Sequence, residues 1–247
     1  MGKIIAVVSG KGGTGKTSFT ANVGLALAAL GCSTLCLDCD ITLRNLDLAL
    51  GLSDRALMDF TDVIAGRCTL EDAVVQHPKY PKLHLLTAPL SPQGQLDVTD
   101  DQMRQLLDQV RQEYDYCLID APAGLGQGFR LATGCADCVV VITTTDASAL
   151  RDAQRTVSVL RDRIPRIHLV VNRVQPRLLR RLHTTIDDAM DTAGLPLLGL
   201  VPEDAKVVLA ASSGRPLAQM SQRGAAKAYE NIARRLTGQQ VPLMRIR

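Results

Sequence analysis

The residues Gly10-Lys11-Gly12-Gly13-Thr14-Gly15-Lys16-Thr17 fit the pattern G-x-x-x-x-G-K-[ST]. Glycines at these positions let successive backbone N–H groups turn inward toward phosphate oxygens. Lys16 is spaced to reach the β- and γ-phosphates of a nucleoside triphosphate, and the Thr17 hydroxyl to ligate Mg2+. A Gly-rich turn without function could carry the same letters, but the flanks argue against it. The apolar run Ile4–Val8 precedes the loop, and the Ala- and Leu-rich segment Thr17–Leu30 follows it. A helix beginning near Thr17 would add its positive end to the anion site. Gly10, Lys11, Gly12, Gly13, Thr14, Gly15, Lys16, Thr17 and Ser18 are the candidate nucleotide-binding residues. Lys11 is a second lysine within the loop. It reads either as a solvated loop charge or as a cation that neutralises phosphate charge in trans, as an arginine finger does.

Three carboxylates stand where such a loop needs them. Asp38 and Asp40 follow the apolar run Thr34–Leu37, and Asp120 closes the run Tyr116–Ile119. Carboxylates at the carboxyl ends of parallel strands lie on the ligand-binding edge of a sheet, where they can hold Mg2+ directly or through its waters. Capping of strand ends is the plain alternative for any one of them. Asp120 is assigned to Mg2+. Asp40, outside the strand, is assigned to orienting or deprotonating the attacking water, and Asp38 to a place behind the metal. The metal candidates are thus Thr17, Asp38, Asp40 and Asp120, and the catalytic candidates are Lys11, Lys16 and Asp40. Asn172, after the run Leu169–Val171, can both donate to and accept from a purine edge.

The elements that must position these groups alternate along the chain. Short aliphatic runs predict strands at Ile4–Val8, Thr34–Leu37, Leu83–Leu86, Tyr116–Ile119, Val139–Thr143, His168–Val171 and Leu197–Val201. Most are continuous rather than alternating, which suits strands buried on both faces. Helical spacing or composition predicts helices at Thr17–Leu30, Thr99–Gln112, Ala149–Arg163, Leu179–Thr192, Ala205–Ala211 and Gly224–Leu236, with another start capped by Thr69. The fold class is therefore α/β: a single domain over 1–237 with a mostly parallel β-sheet flanked by helices on both faces. Residues 238–247 form a short C-terminal tail.

Composition closes off other classes. Hydrophobic residues make up 46% of the 247 and charged residues 21%, an ordinary globular balance. A net charge of +3 is too small to mark a nucleic-acid or membrane surface by itself. With only 3% aromatics and no Trp, the core must be aliphatic. The seven cysteines are expected to be free thiols in a cytoplasmic protein. Cys135 and Cys138 form a C-x-x-C without a second pair at metal-ligand spacing.

Lys11 through Thr17 resembles the deviant Walker A box of the MinD/ParA ATPases, in which the early lysine crosses a dimer interface to the partner's nucleotide. Four further stretches are similar to the MinD branch of that family: Asp40 to Leu52, Asp120-Ala121-Pro122-Ala123-Gly124, Ser148 to Ala153 after Thr143-Thr144, and Val201-Pro202-Glu203-Asp204. The resemblance runs from about Lys3 to Leu243. It implies ATP and Mg2+ as cofactors, a homodimer formed with ATP, slow hydrolysis without a partner, and a part in placing the division septum. It further implies adenine recognition by Asn172 and Arg173, with Pro202 and Asp204 on the other side of the base. Partner contacts with MinC-like and MinE-like regulators fall on Asn45, Ser148, Arg151 and Asp152. Gly126 and Thr145-Asp146 depart from the usual acidic and Pro-Glu residues near the dimer face.

Members of the MinD branch usually end in a cationic amphipathic helix that binds the bilayer. Here Pro242 and the residues after it offer no such face. Membrane binding by this chain as given is expected to be weak, with a peripheral membrane location only if a longer C-terminus exists. The alternatives are a ParA-like or flagellar FlhG-like positioning ATPase and, further off, an iron–sulfur carrier of the Mrp type. Arg173, Arg177, Arg180 and Arg181 are the basic residues a DNA-binding variant would use; nucleic acid is the less favoured partner.

Overall fold

The computed structural model describes residues 1–53, 55–89 and 96–246. The strands are β1 (Lys3–Val8), β2 (Thr34–Asp38), β3 (Val75–His77), β4 (Tyr80–Leu86), β5 (Tyr116–Asp120), β6 (Cys138–Thr143), β7 (Ile167–Val174) and β8 (Leu197–Pro202). They form one sheet in the order β3-β4-β2-β5-β1-β6-β7-β8. Every neighbouring pair is parallel except β3 with β4. The helices are α1 (Lys16–Ala29), α2 (Leu46–Leu50), α3 (Phe60–Ile64), α4 (Leu70–Ala73), α5 (Asp100–Glu113), α6 (Gln127–Gly134), α7 (Ala147–Leu160), α8 (Pro176–Leu182), α9 (Ile186–Ala193), α10 (Ala205–Ser212), α11 (Leu217–Met220) and α12 (Ala225–Leu236).

The central strand shows why the apolar runs are continuous. Ile4, Ala6 and Val8 of β1 enter one core with α5, α6, α7 and α9, while Ile5 and Val7 enter the other with α1 and α12. Both faces are covered, so both sets of alternate residues must be apolar. α1 is buried along most of its length, and Gly24 lets it lie directly on β2: a Cβ there would collide with the Cys36 sulfur. On the opposite layer, α5 presents Met103, Leu106, Leu107 and Val110 to the core. Its start is fixed by a capping box in which the Thr99 hydroxyl accepts from Gln102 N and the Gln102 side chain accepts from Thr99 N.

The structure departs from the sequence expectations in three places. The single helix expected over Leu179–Thr192 is two, α8 and α9. His183 breaks it by adopting φ 51°, and Thr185 caps the second piece through Asp188. The edge strand β3 and the helices α2, α3, α6 and α11 are additional to the sequence expectations; β3, α2, α3 and α11 span too few residues to show a period, whereas α6 has eight residues and buries Phe129, Leu131 and Ala132. Finally, the C-terminal tail lies on the protein. Arg235 binds the Val241 carbonyl through Nε and Nη2 at 2.9 and 2.7 Å, while Met244 and Ile246 pack against the two cores. Two of the tail's apolar residues are therefore partly spent on intramolecular contact; Arg247 lies outside the described residues. Among the described residues no helix is long and apolar enough to cross a membrane.

Candidate nucleotide site

β1 ends between β5 and β6, and the chain turns there through the loop Ser9–Gly15 into α1. Gly13 and Gly15 carry φ of 79° and 94°, left-handed values that L side chains adopt only under strain. Gly15 is also the N-cap of α1, a position without a side-chain cap and with no acidic residue in the first turn. The helix thus offers its N-terminal N–H groups to an anion. The Thr14 hydroxyl is buried without a hydrogen-bond partner, an orphan that a phosphate oxygen would satisfy. These features fit a bound nucleoside phosphate.

Lys16 is buried, and its ammonium donates to the Ser9 hydroxyl at 2.9 Å. Burial lowers its pKa, against the opposing pull of Asp120 and Asp40. The Thr17 hydroxyl donates to Asp120 at 2.6 Å, and Thr20 approaches the other carboxylate oxygen at 3.5 Å. Burial raises the Asp120 pKa to about 6, with the Thr17 hydrogen bond working in the opposite direction. Thr17 and Asp120 therefore form a preassembled hydroxyl–carboxylate pair one residue from the phosphate-reading lysine, a donor set suited to Mg2+.

The three carboxylates do not converge as one cluster. Asp38 and Asp120 face each other in the β2–β5 register. Both oxygens of Asp38 are occupied by backbone donors, Asp40 N at 2.8 Å and Leu46 N at 3.2 Å. Its pKa is raised to about 8, first by burial and then by Asp120. Asp38 anchors the 40–46 loop. Asp40 uses one oxygen to hold that loop's turn, accepting from Thr42 N, the Thr42 hydroxyl and Leu43 N. Among the described residues no three His, Cys, Asp or Glu side chains gather around a metal position, and the Thr17–Asp120 pair is the donor set whose geometry fits Mg2+.

The residues expected around the base are tied to one another. The Asn172 amide donates to the Thr14 carbonyl at 2.7 Å and its oxygen accepts from Arg173 N, so the residue braces the back of the loop. Arg173 pairs with Glu203, Nε to carboxylate at 2.7 Å. Asp204 caps α10 at Lys206 N and also accepts from Ala225 N, fastening α10 to α12. Pro202 closes β8 opposite Val174.

Lys11 reaches in the other direction. Its ammonium donates to the Ser148 hydroxyl at 2.8 Å and pairs with Asp146 at 3.5 Å, at the N-terminus of α7. Gly10 presses on the same helix: a Cβ there would stand 2.6 Å from the Asp152 Cβ. Asn45 and Arg151 are exposed. A cleft of about 680 Å3 opens between Lys11–Thr14, Thr144–Ala147, Arg173 and α8.

Residues 5–217 match the family of the CobQ/CobB/MinD/ParA nucleotide binding domain. The chain belongs to this family. Its likeness is to the MinD branch, and it is a P-loop ATPase of that type. It is 40% identical over 247 residues to the septum site-determining protein MinD of Synechocystis, covering 99% of this chain and 92% of that protein. It superposes with a TM-score of 0.90 on MinD from the MinC:MinD complex of Aquifex aeolicus, at 35% identity over 98% of each chain. The MinD of Pyrococcus horikoshii, solved with Mg-ADP, matches with a TM-score of 0.85 at 30% identity over 96% of each chain. ATP and Mg2+ are the cofactors of such a site.

Within this MinD-type frame, Ser9 and Thr20 carry no role in the sequence reading, and Glu203 enters it only within the Val201–Asp204 motif. Ser9, Thr20 and Glu203 contact Lys16, Asp120 and Arg173 respectively. Ser9 carried a signal as the hydroxyl residue immediately before the first loop glycine, and Glu203 as part of the Val201–Asp204 motif. The cysteines fit packing better than ligation. Cys36, Cys39 and Cys117 are buried, and burial raises all three thiols, Cys117 to about 12. Burial likewise raises Cys138 to about 11.

Proposed function

We propose that the chain is an ATP-driven dimerisation switch of the MinD type that takes part in placing the division septum. The carrying observation is the position of Lys11: part of the phosphate loop, yet bonded through its side chain to Ser148 and Asp146 of α7. A lysine tied to its own helix in the free chain can exchange that tie for a partner's phosphates when two ATP-loaded copies meet. The exchange frees Ser148 and the neighbouring surface of Arg151 and Asp152 for regulators. A MinC-like partner is supported by the Aquifex relative, and a MinE-like one by the resemblance of this helix.

In the reaction water attacks the γ-phosphate in line. Lys16 and the loop N–H groups hold the phosphates, Asp40 orients the water, and Lys11 from the second copy adds positive charge where negative charge develops. Thr17 and Asp120 would hold Mg2+, which would supply neutralisation of phosphate charge. Asn172 and Arg173, with Pro202 and Asp204, would line the base after adjustment of their present bonds. Turnover is slow without a partner because Asp146 and Ser148 compete for Lys11. The protein is read as cytoplasmic, and membrane binding by residues 1–247 as weak or absent, since Met244 and Ile246 already pack against the protein. A ParA-like or FlhG-like role has less support than the MinD branch.

Sedimentation velocity tests the switch. With Mg2+ and a slowly hydrolysed ATP analogue the chain should sediment as a dimer, and with MgADP as a monomer. The same species in both nucleotides would defeat the proposal.

A further inference from the structure

The loop contains two lysines that do different work, and a single buried hydroxyl joins them. Ser9 closes β1, fully buried. Its hydroxyl donates to the Lys11 carbonyl at 2.7 Å and accepts from the Lys16 ammonium at 2.9 Å. A serine hydroxyl has one proton and two lone pairs. With the proton committed to Lys11, the lone pairs are turned toward Lys16, so the acceptor is oriented before any nucleotide arrives. Among the described residues Ser9 is the hydrogen-bond partner of the Lys16 ammonium.

The competing position for that ammonium is Asp120. It is buried, opposite in charge, and the stronger of the two carboxylates acting on Lys16. The Asp120 oxygens are engaged instead by Thr17 and Thr20. A buried lysine without a neutral acceptor would be drawn to the carboxylate. It would then have to leave an ion pair before serving a phosphate, and Thr17 would lose its partner.

We propose that Ser9 is a positioning residue for nucleotide binding: it holds Lys16 off Asp120, so that lysine and hydroxyl–carboxylate pair stand ready separately for phosphate and metal. The inference rests on the assignment of this loop as the ATP site. Once phosphates are bound they hold Lys16 by charge-assisted bonds stronger than a neutral hydroxyl provides. The contribution of Ser9 therefore falls on binding and not on the chemical step.

The test measures MgADP dissociation constants and ATPase kinetics for the full chain and for Ser9→Ala, Ser9→Cys and Ser9→Thr. Ser9→Ala removes one oxygen and should keep its cooperative melting. It should weaken MgADP binding about tenfold, the factor that corresponds to ~1.4 kcal/mol, and raise KM similarly with kcat within about twofold. Ser9→Cys keeps the bulk with a poor acceptor and should resemble Ser9→Ala, whereas Ser9→Thr restores the hydroxyl and should recover most of the affinity. Unchanged affinity in Ser9→Ala would overturn the proposal. So would a loss confined to kcat, or equal losses in Ser9→Ala and Ser9→Thr with both proteins folded. If the unmodified chain fails to bind MgADP, the assignment of the loop fails first, and that outcome is distinct from a silent Ser9.

Discussion

Gly15→Ala places two independent loads on one atom. Gly15 has φ 94°, and holding an L-residue in the left-handed region costs about 1–2 kcal/mol. The added Cβ would also collide with the Asn172 amide nitrogen, which now donates to the Thr14 carbonyl at 2.7 Å. Displacing that amide leaves buried polar groups unpaired, at about 1–3 kcal/mol. The sum, roughly 2–5 kcal/mol, is a large part of the ~5–15 kcal/mol that holds a domain folded. In an Asn172→Ala background the collision is gone and only the backbone strain remains. Urea unfolding of the four nucleotide-free proteins, followed by far-UV circular dichroism, gives the cycle. Gly15→Ala should cost less beside Asn172→Ala than alone, with a coupling of about 1–3 kcal/mol. Effects that add within ~0.5 kcal/mol would show that Asn172 does not brace the loop as its hydrogen bonds indicate.

Asp40→Ala should bind MgATP and hydrolyse it roughly 10²-fold more slowly, whereas Lys16→Ala should fail at nucleotide binding; wild-type turnover in Asp40→Ala would move the water-orienting role elsewhere. His77 is buried, and its Nδ1 accepts from Lys79 N and Tyr80 N at 3.1 and 3.2 Å. Burial holds its pKa below the usual value of about 6.5, so the unfolded chain binds the proton more readily. The stability this neutral ring supplies is complete above about pH 6.5 and is lost as pH falls through the lower folded value. His77→Asn keeps an acceptor that does not titrate, so its melting temperature should fall less steeply between about pH 7 and pH 5. An unchanged slope would remove His77 as a source of acid sensitivity.

The phosphate loop was legible because its chemistry is written in consecutive residues, and the sheet because strands covered on both faces read as unbroken apolar runs. The interior strands needed only adjustments of their ends. Features lacking a period were harder to read. The fourteen-residue α7 was found, although the structure starts it at Ala147, but the five-residue α2 was not. The break at His183 was hidden because Leu179 to Thr192 keeps helical composition across a residue whose left-handed backbone has no strong letter signal. Within the site, the sequence assigned Asp120 to the metal, Asp40 to the water and Asp38 to a place behind the metal, but did not show the bonds that hold each carboxylate. Burial and backbone donors distinguish them: Asp38 is spent on Asp40 N and Leu46 N, while Asp120 is held by Thr17. The Ser9 link between the two lysines depends on the curl of the loop, which brings residues 9, 11 and 16 together.

In the proposed switch, one lysine of the loop serves its own nucleotide and the other serves a second copy of the chain. This division of roles is tested most directly by sedimentation velocity of Lys11→Ala, loaded with Mg2+ and a slowly hydrolysed ATP analogue, with nucleotide occupancy measured on the same sample. Occupancy should stay near that of the unmodified chain, with a monomeric sedimentation coefficient and the loss of ATP hydrolysis. A Lys11→Ala protein that binds the analogue and still sediments as a dimer would contradict the division of roles.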